Sequence, residues 1–281
     1  MSLFNNVLAG ASGQGGYRIS RSVRIRQSAS GYFNRTPASA TNRKTWTWSG
    51  WVKIGKAAST GLFTASTSGS NMYTIQLGSD GTLNVYAYTG TYPYFRVTSA
   101  VFRDYSAWYH FVVAFDSTQA TDTNRIKIYV NGVLQSTTSG SGSGWPTLNY
   151  DGGVNNTINH QFSDNVGGAS YFDGYLTEVN FIDGQALTPS SFGQINSQNG
   201  VWQPIRYAGT YGTNGFYLNF SDNSSNTAAT IGKDYSGNGN NWTPNNISVT
   251  AGTTYDSMLD SPTPYADGGN GRGNYAVLNP I

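Results

Sequence analysis

A chain of 281 residues with 37% hydrophobic and 14% aromatic side chains can bury a sizeable core, which excludes a disordered polymer and fits one large domain or two small ones. It has no cysteine, which removes disulfide scaffolds, thiol nucleophiles and cysteine-ligated zinc. The net charge is only +2 and the bases are dispersed, which argues against nucleic acid as a partner, and no apolar run is long enough to span a membrane.

Residues 1–16 (MSLFNNVLAGASGQGG), an apolar nub followed by Gly, Ser and Ala, read as an N-terminal arm. They contain no basic segment leading into an apolar run, so no secretory signal is expected. From Tyr17 the pattern takes a period of two: Tyr17, Ile19, Val23 and Ile25 fall on one face, with Arg18, Arg24 and Arg26 on the other, as in a strand. In KTWTWSGWVKI, Trp46, Trp48, Val52 and Ile54 share a face opposite Thr47, Ser49, Trp51 and Lys53. LFTAS, MYTIQLG, TLNVYAY and YFRVTS follow, separated by Gly-containing turns. AWYHFVVAFD is apolar on both faces, as a central strand of a two-layer sandwich should be. NRIKIYVNGVLQ alternates again, and its Asn131-Gly132 predicts a type I′ hairpin, whose two central residues need positive φ. After SGSGSG (139–144) strands are expected over 154–162 and in YFDGYLTEVNFID; TPSSFGQI predicts a short helix with Thr188 as N-cap and Pro189 at its first position. In GFYLNF, Phe216, Leu218 and Phe220 share a face, predicting a strand that joins the same sandwich. The expected fold class is therefore all-β: an antiparallel jelly-roll sandwich over 17–187 and a 188–281 extension adding a strand and loops.

Two aromatic groups are candidate ligand contacts. Tyr86, Tyr88, Tyr92 and Tyr94 cluster around the turn in YAYTGTYPYF, and Trp145 and Tyr150 stand in WPTLNYD. Ring faces stack on sugar C–H surfaces or anchor protein contacts; the competing expectation is that strand alternation sends half of them into the core. Residues 1–79 carry nine bases and no acid, whereas the remainder carries 7 bases and 14 acids. That asymmetry marks Arg18, Arg21, Arg24 and Arg26 as a candidate interface with an acidic partner, against the simpler reading that arginines on an edge strand prevent unwanted pairing. In DYSGNGNN, Asp234, Asn238 and Asn240 alternate with glycine as in a Ca²⁺ loop, but the carboxylates and terminal Glu of an EF-hand are absent, and no other metal or cofactor is expected. His110 and His160 stand alone, at no metal-ligand spacing.

The succession W-x-W-S-G-W-V-K, W-Y-H-F-V-V-A-F-D, I-K-I-Y-V-N-G-V-L and Y-F-D-G-Y-L-T-E-V-N-F-I-D resembles the laminin-G/pentraxin-type, concanavalin A-like jelly roll over roughly residues 20–187. MSLFNNVLAGA, VWQPIRYAG, GFYLNFSDNSS, KDYSGNGNNWTPNNIS and DSMLDSPTPY resemble virion proteins of tailed bacteriophages. That resemblance implies a non-enzymatic structural protein, assembled in the host cytoplasm into the virion. A fibre or receptor-binding role would have other virion proteins, copies of itself and host surface polysaccharide as partners. The alternative it leaves is a capsid decoration protein. Glucanases of this fold carry paired carboxylates resembling E-x-D-x-x-E, about 5–9 Å apart in a hydrolase. Here the single glutamate, Glu178 in YLTEVNF, has no such neighbours, so no catalytic residue is expected and a polysaccharide hydrolase is the distant alternative.

Overall fold

The computed structural model describes residues 17–163, 170–197 and 199–263; the arm expected over 1–16 lies outside them. Among the described residues there are eighteen strands and three single 3-10 turns, with no α-helix. Sixteen of the strands form two eight-stranded antiparallel sheets. The first runs β10 (Val133–Leu134), β9 (Ile126–Val130), β8 (Trp108–Asp116), β3 (Thr45–Ile54), β13 (Gly174–Asp183), β1 (Ser22–Ile25) and β18 (Ser257–Met258), with β16 (Phe216–Leu218) also on β13. The second runs β11 (Thr137–Ser139), β7 (Tyr94–Thr98), β6 (Leu83–Tyr88), β5 (Asn71–Leu77), β4 (Thr60–Ser68), β12 (Asn159–Phe162), β2 (Tyr32–Arg35) and β17 (Thr243–Asn245). β14 (Gly193–Ile195) and β15 (Trp202–Pro204) form a separate hairpin.

The core lies between the sheets and follows the alternation: Trp46, Trp48, Val52 and Ile54 of β3 meet Phe63, Ile75 and Val85 from the other sheet. Each large side chain buried this completely contributes about 1.5–3 kcal/mol. β8 is apolar on both faces because both are covered. Phe111, Val113 and Phe115 point into the main core, while Val112 joins Ile182 and Phe192 in a second cluster closed by Leu187, Tyr207 and Tyr211. The segment after β13 thus folds back over the outer face of the first sheet. Asn131 (φ +48°) and Gly132 (φ +83°) form the predicted turn between β9 and β10.

Three expectations are corrected. The helix in TPSSFGQI is one 3-10 turn, Pro189–Ser191, and Thr188 makes no capping bond to it, because Phe192 turns into the second cluster and Gly193 already begins β14. The first strand is shorter than its alternating pattern and is not at an edge: β13 pairs with it on one side and β18 on the other. A bulge in β13 between Thr177 and Asn180, with Glu178 at φ +52°, lets this strand change neighbours. Its first part pairs with β1 and its second with β16, where Val179, Asn180 and Phe181 oppose Leu218, Tyr217 and Phe216.

Candidate functional site

β10 pairs with β9 only at Tyr129 and Val130, so Ile126 and Lys127 have no strand beside them on that edge. Between this edge of the first sheet and β11 of the second lies a cleft of about 270 Å³. Asn124, Lys127, Gln135 and Thr137 line it together with Trp145 and the aliphatic Ile126, Ile128 and Leu134. The indole is held by Arg96, whose guanidinium carbon lies 3.9 Å from the ring centroid. Arg96 shares the inward face of β7 with Tyr94 and Thr98 and is only 5% exposed. It donates to Ser139 Oγ (2.9 Å), Thr137 O (2.8 Å) and Thr137 Oγ1 (3.0 Å), so every acceptor is neutral. Burial lowers its pKa, against the opposing pull of Asp122, yet a guanidinium does not deprotonate in a protein. Arg125 fixes the chain next to the indole by donating to Pro146 O at 2.8 Å.

One loop joins this cleft to the tyrosine cluster. Tyr86 and Phe95 are cross-strand partners on the face turned away from the core, with ring centroids 4.7 Å apart. Tyr92 lies 4.9 Å from Tyr88 and 5.2 Å from Phe95. Tyr88 and Tyr92 are half-buried; Tyr86 is buried, and desolvation pushes its hydroxyl up to about 12. The loop ahead of Trp145 packs on these rings: Gly140 N–H donates to Phe95 O (2.9 Å) and Ser143 Oγ–H to Tyr92 O (2.8 Å). A Cβ on Gly140 would fall 2.5 Å from the Phe95 ring, so only glycine allows this approach.

Tyr94 leaves the candidate set. It is 2% exposed, belongs to the core and meets the half-buried Tyr150 edge-to-face at 5.5 Å. Tyr92 and Tyr94 have the same parity in the sequence, but Pro93 separates the turn from β7 and the count restarts there.

The arginines of the first strand face an internal partner. Asp256, its side chain 1% exposed, accepts from Arg24 Nε (3.2 Å) and from Arg26 Nε (2.7 Å) and Nη2 (3.1 Å). Arg21 reaches Ser257 Oγ at 3.3 Å, and Arg18 is exposed. The four ion pairs among the described residues each join a base before residue 80 to an acid after it: Arg24 and Arg26 with Asp256, Arg43 with Asp151, Lys53 with Asp260.

The Asp234 loop is organised by protein donors. Asp234 Oδ1 accepts the N–H groups of Tyr217 and Ser236, and Oδ2 those of Asn240 and the Ser236 hydroxyl, all at 2.8–2.9 Å. Asn238 and Asn240 donate away from it, to Gly212 O, Thr213 O and Gly215 O, and Asn240 Oδ1 receives Arg35. These three side chains therefore do not converge as calcium ligands. Instead they hold β16 against the 234–241 segment. Glu178 is 4% exposed and accepts from Tyr17 and Tyr217 hydroxyls at 2.8 Å, and burial raises its carboxyl to about 7. His110 lies between Trp51 and Trp202, with Nδ1 accepting from Trp202 Nε1 (3.0 Å), which leaves Nε2 as donor to Ser49 Oγ. Burial lowers His110 to about 3 and His160 to about 4.

The model of the concanavalin A-like lectin/glucanases superfamily matches residues 27–192, more than half of the sequence. The chain belongs to this superfamily. Among solved structures, this superfamily member is similar to a candidate carbohydrate-binding protein of Bacteroides ovatus, with 16% identity and a TM-score of 0.51. The match covers 82% of this chain but only 59% of that one. A heptameric SAP-like pentraxin of Limulus polyphemus (14% identity, TM-score 0.45, 70% of this chain and 95% of that one) and laminin alpha1 LG4-5 of mouse (11%, 0.43, 72% and 48%) are also similar. No curated protein sequence matches the chain.

Of the expected ligand residues, this concanavalin A-like sandwich places Trp145 at a cleft and Tyr88 and Tyr92 at a half-buried surface beside it. Arg96, Lys127, Gln135 and Asn124 were not expected there. Arg96 had a readable signal: strand alternation in YFRVT places it on the core face, where an arginine needs a reason. The others come from loop ends and a strand edge, which carry no periodic signal.

Proposed function

We propose that this protein is a non-catalytic carbohydrate-binding component of the virion of a tailed bacteriophage, serving a fibre or host-recognition role. The observation that carries the binding reading is the cleft of about 270 Å³ at Trp145, lined by the indole, by three aliphatic side chains and by residues with amide, hydroxyl and ammonium groups. An aromatic plane with directional polar groups is what a sugar ring needs, apolar on one face and rich in hydroxyls at its rim. The superfamily includes lectins, and the Bacteroides ovatus relative is a candidate carbohydrate binder, which supports the same reading. The virion context is supported by the sequence resemblance. The only glutamate of the chain is enclosed by two tyrosines, which favours binding over hydrolysis.

Glycan-array binding followed by titration tests this. Wild type should bind a defined set of oligosaccharides without releasing reducing ends, and Trp145→Ala should abolish binding while Tyr88→Ala and Tyr92→Ala weaken it. Hydrolysis abolished by Glu178→Gln, or binding untouched by Trp145→Ala, would sink the proposal. A second reading, capsid decoration through protein contacts, draws on exposed Val133 and Leu134 beside exposed Ile195 and Val201, on two hairpins that meet where Trp202 packs on Gly132. Copy number in purified particles separates the two: few for a fibre, many for a decoration protein.

A further inference from the structure

The Trp145 cleft gathers basic side chains that form no ion pair among the described residues. Three cationic side chains surround it: Lys127 in its wall, Arg96 behind the indole and Arg125 clamping the chain beside the indole. None of them forms an ion pair among the described residues, where only Arg24, Arg26, Arg43 and Lys53 do; what sets these three apart is that they gather at one cleft. Arg96 spends its donors on Thr137 and Ser139, and Arg125 on the carbonyls of Gln119, Ala120 and Pro146. Lys127 is half-buried, and its ammonium makes no hydrogen bond or ion pair among the described residues. Two carboxylates stand nearby: the exposed Asp122, which accepts the Thr123 N–H at 2.6 Å and opposes the depression of Arg96, and Asp116, whose N–H donates to Arg125 O at 2.8 Å. Three bases against these two carboxylates leave an excess of about one positive charge, next to a low-dielectric core where attraction to an anion is strongest.

We infer that the ligand of this cleft is an acidic sugar, a saccharide unit carrying a carboxylate or a sulfate whose negative charge is met by Lys127. This rests on the carbohydrate reading of the same cleft. Neutral acceptors solvate Arg96 and Arg125 well enough to hold them in place, but none cancels their charge, so the field at the cleft persists until an anion enters. The Lys127 ammonium is the group left to contact it directly. Arg96 and Arg125 act from behind the wall, by field and by holding Trp145 and its neighbour in position. The size of the cleft, slightly below the roughly 300–1,000 Å³ of drug-sized pockets, suits one or two sugar units rather than a long chain.

The test is calorimetric titration of the full chain with three oligosaccharides of equal length: a neutral glucose oligomer, a glucuronate oligomer and a sulfated galactose oligomer. One of the acidic arms should bind about tenfold more tightly than the neutral one, equivalent to ~1.4 kcal/mol, and the arm that does so identifies the anion. Lys127→Met should erase that advantage without changing the melting temperature, and raising the salt should narrow it in wild type. Equal affinity for neutral and acidic arms, or an advantage that survives Lys127→Met, would overturn the charge assignment and leave sugar binding standing. Absence of binding to all three arms, and to a broad glycan array, would remove the carbohydrate reading together with this inference.

Discussion

The molecule has two basic regions, one a compact run in the sequence and one assembled from separate strands, and they differ in how their charge is held. At β1, Arg24 and Arg26 converge on the buried carboxylate of Asp256 and hold the chain around β18 against the first sheet. At the Trp145 cleft, Arg96, Arg125 and Lys127 form no ion pair among the described residues, and the side-chain hydrogen bonds of the two arginines go to neutral oxygens. The first region is a structural clamp in which two guanidinium groups share one buried carboxylate of the same chain. The second holds its bases with neutral acceptors and without an ion pair among the described residues. A cluster of bases in a sequence thus says little about partners until its counter-ions are located, and the unbalanced cluster is the informative one.

Removing the counter-ion of the clamp should produce the largest effect. Asp256→Asn leaves two guanidinium groups facing a neutral amide and should destabilise the protein by about 3 kcal/mol, lowering the melting temperature by about 6–12 °C. Charge reversal in Arg24→Glu/Arg26→Glu should do similar damage. A stable double-reversal variant that fails to enter particles would instead show that these arginines serve an interface.

The pH dependence asks how the rest of the interior treats charge. Unlike Arg96, the buried histidines avoid burying a charge by staying neutral. Their folded pKa values of about 3 and about 4 lie below the usual 6.5, so the unfolded chain binds protons first and stability is lost as pH falls below 6.5. Glu178 acts in the opposite direction: its folded value of about 7 lies above 4.5, so its contribution is fully present below pH 4.5 and is lost as pH rises toward 7. Between these limits two histidines outweigh one glutamate, and stability should fall by about 2–3 kcal/mol from pH 6.5 to 4.5. Urea midpoints across this range should show the loss, and Glu178→Gln should steepen it. A flatter profile in that variant would contradict the assignment.

Smaller effects sharpen the contrast at the cleft itself. Trp145→Ala removes the ring under Arg96 and should cost about 1–2 kcal/mol of stability, read from chemical denaturation. Arg96→Met should change stability by less than ~1.5 kcal/mol, because an apolar chain of similar length replaces a buried charge held by neutral acceptors rather than by an ion pair. A loss as large as that of Asp256→Asn would mean that Arg96 is as structural as the clamp, and the distinction between the two regions would fail.

Much of the fold was legible because alternation is a local property of a strand. Trp46, Trp48, Val52 and Ile54 point inward as their spacing requires, Asn131-Gly132 turns with both φ positive, and Phe216–Leu218 pairs with β13. Of the site, Trp145, Tyr88 and Tyr92 could be read as aromatic residues near turns, but Tyr94 could not be separated from them, since the turn before β7 resets the parity. The short helix was misread because Pro189 and Thr188 describe how a helix begins, whereas burial of Phe192 decided that this one ends after a single turn.

By itself, the sequence determined the class of fold, the inward faces of its long strands and the absence of cysteine chemistry, since composition and a period of two act over a few residues. Only the tertiary structure decided which charges cancel. Arg24 and Asp256 stand 232 residues apart and meet because β18 adds to the edge of β1. Arg96 and Lys127 lie in different sheets and come together because β7 with β11 and β9 with β10 end up on the same side of the sandwich. Strand order sets both juxtapositions, and strand order follows from how two whole sheets bury their apolar faces together, which no local pattern encodes.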